Sequence, residues 1–317
     1  MGTARKSPAP TLPWVWPSPP PPVPGRSKIL LSGLVALIIA FGALAAVPPY
    51  QSGPPAGGRA AGGSGSLSPI SAAADVRKGV GAWVFPGASQ ALANSGASWY
   101  YTWSPTPLGI TTPPGVQFVP MIWGRTMVNS SSLSAARQYG NVLLGFNEPD
   151  NKTQSDMTVS EALSHWPQLM ATGMTLGSPA VASGAATPGG WLDQFMKGAA
   201  ARGYRVNFIA VHWYGADFEA AAAVAQLRSY LQAIYDHYHL PIWLTEFALA
   251  DWGSGIWPTE SQQAAFLTAA TTMLQTLPYV QRYAWFALPV DSRYGNTGMF
   301  GSGPVVNPVG RAFEAAP

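Results

Sequence analysis

From about Asp75 onward, short apolar runs alternate with longer amphipathic stretches. The runs are GVGAWVF (79–85), ASWYYTW (97–103), VQFVPMI (116–122), NVLLGFN (141–147), MTLGSPA (174–180), NFIAVHW (207–213), LPIWLTE (240–246) and RYAWFAL (282–288). Most are continuous rather than alternating, which is the texture of strands buried on both faces of a parallel sheet. The stretches between them predict helices. TVSEALSHWPQLMATG opens on Thr158 with Glu161 three residues on, a capping-box pattern. GWLDQFMKGAAARG carries Trp191, Leu192, Phe195 and Met196 and stops at Gly203. FEAAAAVAQLRSYLQAIYDHY is long and Ala-rich, and TESQQAAFLTAATTMLQTL opens on Thr259. Only the link between the second and third runs reads as helix-free. Eight strand–helix units in roughly 240 residues match the length of a (β/α)8 TIM barrel. A doubly wound sheet is the competing architecture. The strand count and the lack of a Gly-rich phosphate loop weigh against it.

Ahead of this region the texture differs. Residues 1–28 are Pro-rich, with WPSPPPPVPG reading as polyproline-like. Residues 29–47, ILLSGLVALIIAFGALAAV, carry no charge. That length is close to the ~20 residues a helix needs to cross a bilayer. Arg26 and Lys28 precede it and predict a cytoplasmic N-terminus. The segment reads either as a transmembrane anchor or as a signal segment cleaved near Ala45. Residues 48–75 form a Gly/Pro/Ser linker, expected to be disordered. Either outcome predicts an extracytoplasmic domain over 76–317, tethered or secreted.

Charge then narrows the function. The net charge is +3, but five of the 17 basic residues (Arg5, Lys6, Arg26, Lys28, Arg59) lie before residue 75, where there is no acid. The rest of the chain holds 12 basic residues against 14 acids. The folded region lacks a basic tract for phosphates, so a nucleic-acid partner is not expected. The chain has no cysteine, which excludes disulfides, thiol catalysis and Cys-type zinc sites.

In a (β/α)8 barrel the active site lies at the C-terminal strand ends. Those ends hold Tyr101, Trp103, Trp123, Asn147, Glu148, His212, Tyr214, Glu246 and Trp285. Only Glu148 and Glu246 are carboxylates. Charged residues make up just 10% of the chain, so two acids at separate strand tips point to chemistry rather than solvation. One can donate a proton to a leaving oxygen while the other attacks or activates water, as glycoside hydrolysis requires. Trp and Tyr rings suit the apolar faces of sugars, and Trp103, Trp123 and Trp285 are expected to stack on them. A lone strand-end Glu is more often a cap or an ion-pair partner, so the assignment rests on the pair. His212 reads as a satisfied core histidine or as a group orienting a carboxylate. His165, His237 and His239 lie on helical or loop segments, and neither metal nor cofactor is expected. Asp236 to His239 read as a polar helix end, and Asp150 and Asp251 as structural loop acids.

LLGFNEPD, VHWYG and IWLTEFA together resemble the glycosyl hydrolase catalytic core of family 128, within clan A. SWYYTWSP and FVPMIWG resemble that family's second and third strands. The resemblance implies a retaining endo-β-1,3-glucanase. Glu148 would be the acid/base and Glu246 the nucleophile. Asn147 would bind the 2-hydroxyl of the reacting sugar, Tyr214 would bond the nucleophile, and His212 and Trp285 would shape the reacting subsite. Thr102 stands where the family often has Asn, which bears on linkage preference. A monomer acting on a polysaccharide is expected. The alternatives are a clan A hydrolase acting on mannan or mixed-linkage glucan, and a non-catalytic glycan-binding barrel.

Overall fold

A computed structural model of the chain describes residues 76–317. The Pro-rich tail, the apolar segment 29–47 and the linker 48–75 lie outside the described residues. Among the described residues no helix is long and apolar enough to cross a membrane.

The architecture is α/β. Strands β1 (Lys78–Gly81), β2 (Trp99–Tyr101), β3 (Gln117–Phe118), β4 (Val142–Leu143), β5 (Thr175–Leu176), β6 (Ile209–Gly215), β7 (Ile242–Leu249) and β8 (Val280–Phe286) each overlap one of the eight apolar runs. Six form one sheet in the order β3-β2-β1-β8-β7-β6, every pairing parallel. β4 and β5 pair separately, also parallel. Isolated parallel bridges stand at the two gaps, Met121 with Leu144 and Gly177 with Phe208. The short strands have a covalent cause. Pro120 and Pro179 have no N–H to give to a ladder, so regular pairing lapses beside them.

Helices α1 (Ala88–Asn94), α2 (Ser130–Ala136), α3 (Val159–Met170), α4 (Trp191–Ala201), α5 (Ala220–Tyr238) and α6 (Glu260–Gln275) occupy the links, except between β2 and β3, as the sequence predicts. The expected capping box of Thr158 with Glu161 forms, and the helix that opens on Thr259 has one too, with Gln262. The pattern did not announce the hairpin of β9 (Phe300–Gly301) and β10 (Val305–Val306), nor α7 (Pro308–Ala315). Asn307 caps α7 through the Gly310 N–H. At its other end the buried Lys78 ammonium donates to the Phe313 and Ala316 carbonyls, tying the C-terminal helix to β1.

The core lies between strands and helices. Val80, Leu143, Leu176, Val211 and Leu244 meet Leu163, Trp166, Phe195, Leu227, Leu231, Phe266 and Leu267 in one cluster. Burying each such side chain stabilises the fold by about 1.5–3 kcal/mol. Two strand glycines are set by close approach. A Cβ on Gly79 would strike the Trp99 ring, and one on Gly81 the Trp103 ring.

Candidate active site

Strand register brings the key groups together. In β6 against β7 the pairing shifts between Val211 and His212, which places His212 opposite Glu246. Asn147 bridges Ala180 in parallel and takes the Trp123 carbonyl through its own N–H. The next residue, Glu148, donates its N–H to the Ala180 carbonyl at 2.7 Å. Its φ is 41°, a left-handed backbone unusual for a residue with a Cβ. Trp103 shares that conformation at φ 53°. Such backbone costs of order 1–3 kcal/mol and concentrates at functional sites.

The two carboxylates are close. An oxygen of Glu148, an oxygen of Glu246 and a ring nitrogen of His212 all lie within 4.8 Å of one another. Glu246 is buried and accepts three bonds: from Tyr214 Oη at 2.6 Å on Oε2, and from Trp103 Nε1 at 2.8 Å and Tyr101 Oη at 3.2 Å on Oε1. An indole N–H can only donate, so Oε1 is an acceptor. Glu148 accepts from His212 Nδ1 at 2.9 Å and from Asn151 Nδ2 at 3.0 Å. A cation could in principle use this donor set. All four carboxylate oxygens, however, already accept hydrogen bonds, an arrangement suited to handling protons.

Burial pushes the Glu246 carboxyl up and the Glu148 charge adds to this. The His212 charge and the bonds from Tyr214 and Trp103 oppose it, and the balance leaves the carboxyl above the usual range. Burial also pushes Glu148 up, but the bond and charge of His212, with Asn151, outweigh it and hold the carboxyl low. The imidazole between the two therefore works against a proton held on Glu148 by the neighbouring Glu246 charge. Burial lowers His212, yet the charges of Glu246 and Glu148 prevail and raise it. Burial, then the Glu246 charge, lifts the Tyr101 and Tyr214 phenols well above their ordinary value, so both remain donors.

Other expected residues are placed differently. Trp123 is half-buried, and its carbonyl accepts the Asn147 N–H. Trp285 does not join the cluster. It is fully buried, packs on Phe247 and Phe266 of α6, and donates to the Thr297 carbonyl. Its ring therefore has no open face for a sugar, which corrects the expectation that it shapes a subsite. Trp103 is 4% exposed and serves Glu246 rather than offering a stacking face. Thr102 donates to the Thr106 carbonyl at 2.7 Å. Asp150 accepts the Ala182 N–H, and Asp251 bonds Ser254 and Gly253 within its own loop. His237 reaches across to buried Asp193 instead of serving only as a helix end.

A wall of rings went unread in the sequence. Trp83 lies 6.0 Å from Trp103 and 5.6 Å from Tyr294; Trp252 lies 5.3 Å from Tyr214 and 5.0 Å from Trp257. Trp252 is 49% exposed, a large apolar surface beside the Glu246 side of the cluster. These residues sit in loops after strands, where periodicity is silent. The one available signal was aromatic residues recurring just past strand ends.

The model of the glycosyl hydrolase catalytic core family matches residues 81–313. The chain belongs to this family. A GH128 (subgroup I) endo-β-1,3-glucanase from Amycolatopsis mediterranei, solved with laminaritriose, is 53% identical. The match covers 76% of this chain and 100% of that one, with a TM-score of 0.73. A subgroup II endo-β-1,3-glucanase from Sorangium cellulosum is 30% identical over 76% of this glycosyl hydrolase and 98% of its own chain, with a TM-score of 0.65. Alkali-sensitive linkage protein 1 of Schizosaccharomyces pombe is 31% identical over 237 residues, 72% of this chain. The glycosyl hydrolase spans only 42% of that relative's length.

Proposed function

We propose that the chain is a retaining endo-β-1,3-glucanase working through Glu246 and Glu148. The observation that carries this is the carboxylate pair, whose oxygens approach within 4.8 Å. Retaining enzymes hold their carboxyls about 5–5.5 Å apart, whereas inverting ones leave roughly 6.5–9.5 Å for a water. The substrate class follows from relatives crystallised with laminarin oligosaccharides, including variants with glutamate substitutions.

Glu246 is the nucleophile, because three donors aim at its ionised form. Glu148 is the acid and then the base. It is the more exposed of the two, with 12% of its side chain accessible against 6% for Glu246. A glucan lying over it removes its last water and favours the protonated form for the first step. Asn147 Oδ1 is buried with no hydrogen-bond partner, a free acceptor beside Glu148 for a sugar hydroxyl. The wall of Trp83, Trp252 and Tyr294 forms the stacking surface on the Glu246 side.

The eight strands act as one (β/α)8 barrel, with the two isolated bridges completing the ring. The domain works outside the cytoplasm, joined to segment 29–47 or released from it. Soluble protein assayed on laminarin, mannan and barley glucan, with product sizing, tests the substrate. Laminarin should yield short oligosaccharides. Preference for mannan would move the chain to another β-glycan, and binding without hydrolysis would make it a lectin-like barrel.

A further inference from the structure

The loop after β4 folds back on the strand tip that it leaves. The Asn151 N–H donates to the Glu148 carbonyl at 3.0 Å, Gln154 to the Asn151 carbonyl at 2.9 Å, and Met157 to the Pro149 carbonyl at 2.9 Å. This returns the Asn151 side chain to the Glu148 carboxyl, with Nδ2 3.0 Å from Oε2. Thr153 holds the other end of the same amide. Asn151 Oδ1 accepts the Thr153 N–H at 3.0 Å and the Thr153 hydroxyl at 2.9 Å. A backbone N–H can only donate, so the amide atom facing it is the oxygen, and the NH2 end faces Glu148. A free Asn side chain can turn over to suit either a carboxylate or a carboxylic acid. Turning this one over breaks both Thr153 bonds. Asn151 is half-buried, whereas His212, the partner of Oε1, is buried, so Oε2 lies on the more accessible side of Glu148.

We propose that Asn151 is a positioning residue for Glu148: its amide, fixed in direction by Thr153, holds Oε2 of the carboxylate and yields it when Oε2 takes up a proton. This rests on the glucanase reading above. In the first half a Glu246 oxygen bonds the anomeric carbon. The glycosidic C–O bond breaks with its electron pair on the leaving oxygen, and Glu148 supplies the proton from Oε2. The carboxylate left behind is the form that Asn151 holds through the covalent stage. In the second half water attacks the anomeric carbon, Oε2 takes the water's proton as the Asn151 bond is given up, and Glu246 departs as a carboxylate. The ionisable groups around Glu148 are His212 on β6, Glu246 on β7, Asp150 in the same loop, and the phenols of Tyr101 on β2 and Tyr214 on β6. Asn151 carries no charge, so its removal takes away a donor and leaves these charges as they are.

The test is a 13C NMR titration of the Glu148 carboxyl in a Glu246→Gln chain, where no Glu246 titration overlaps it; Glu148→Gln identifies the signal. Adding Asn151→Ala should raise the Glu148 midpoint by about one pH unit. Asn151→Asp keeps an oxygen for Thr153 but sets an anion against Oε2, and should raise the midpoint further. With Asn151 in place, its side-chain amide protons should shift with the same midpoint as Glu148. A midpoint that either variant leaves in place would reduce Asn151 to a loop contact. Should Asn151→Ala fail to fold, Asn151→Asp and the amide protons decide. Amide protons that ignore the Glu148 titration overturn the proposal. None of these readings depends on turnover. Laminarin hydrolysis surviving in Glu148→Ala and Glu246→Ala would instead sink the glucanase reading itself.

Discussion

Trp103 shows how a single side chain ties backbone to chemistry. Its left-handed backbone and its packing over Gly81 aim the indole N–H at Glu246 Oε1. A hydrogen bond to a charged group contributes about 1.5–3 kcal/mol. Trp103→Phe should therefore lower kcat/KM by about 10- to 100-fold, with the fold intact by circular dichroism. Full activity would mean that Trp103 only packs. The two glutamates should respond differently to substitution. Glu246→Ala should be inactive, with azide restoring turnover to an inverted glycosyl azide. Glu148→Ala should keep turnover on activated leaving groups, with azide giving the retained product. The opposite pattern would swap the roles. The pH sign for Glu246 follows from its raised carboxyl. In Glu148→Ala, where Glu246 titrates without a second carboxyl, turnover of an activated aryl glucoside needs the ionised form, so its acid limb should lie above the ordinary Glu value of about 4.3. A limb below that value would mean that the three donors outweigh burial. At this scale the sequence named Glu148, Glu246, Asn147, His212 and Tyr214, because polar residues at apolar strand tips are conspicuous. It misplaced Trp285, since the strand pattern does not say which face of the sheet a buried-run residue presents to the carboxylates and which to the helices.

Among the elements, the capping boxes were legible because Thr and Glu or Gln at a three-residue spacing are local signals. Thr158→Ala removes the acceptor for the Glu161 N–H. It should cost about 1 kcal/mol, or about 2–4 °C in Tm for a domain of this size. The contact of Asp193 with His237 was invisible in the sequence, because it joins distant segments. Asp193 is buried, accepts the Gly189 N–H, and bonds Lys197 and His237 on α5. The Lys197 bond, then the Gly189 N–H and His237, hold its carboxyl far below the ordinary Asp value. A depressed Asp stabilises the fold above its unfolded value and loses that contribution as pH falls. Asp193→Asn should lower Tm at pH 7, and the gap to wild type should close in acid. A gap independent of pH would assign the effect to packing alone. The strand interruptions at Pro120 and Pro179 were also present in the sequence. Their consequence, pairing that lapses to isolated bridges, depends on neighbours that the sequence does not order.

Across the whole molecule, the alternation of apolar runs and helices was enough to give an α/β chain with parallel strands, since a run buried on both faces is a strong local pattern. The aromatic wall and the His212 bridge were not legible, because they arise from loops and a register shift that only the folded chain brings together. The composition break near Asp75 predicts that residues 76–317 carry the activity alone. A chain beginning at residue 76 should hydrolyse laminarin as the longer chain does, and failure to fold would move the boundary. The account stands on two carboxylates close enough for double displacement. Following laminarin hydrolysis by 1H NMR, before mutarotation, reads this directly. The first reducing ends released should be β-anomers, turning to the equilibrium mixture afterwards. Reducing ends released first as α-anomers would mean that a water, and not Glu246, attacks the sugar.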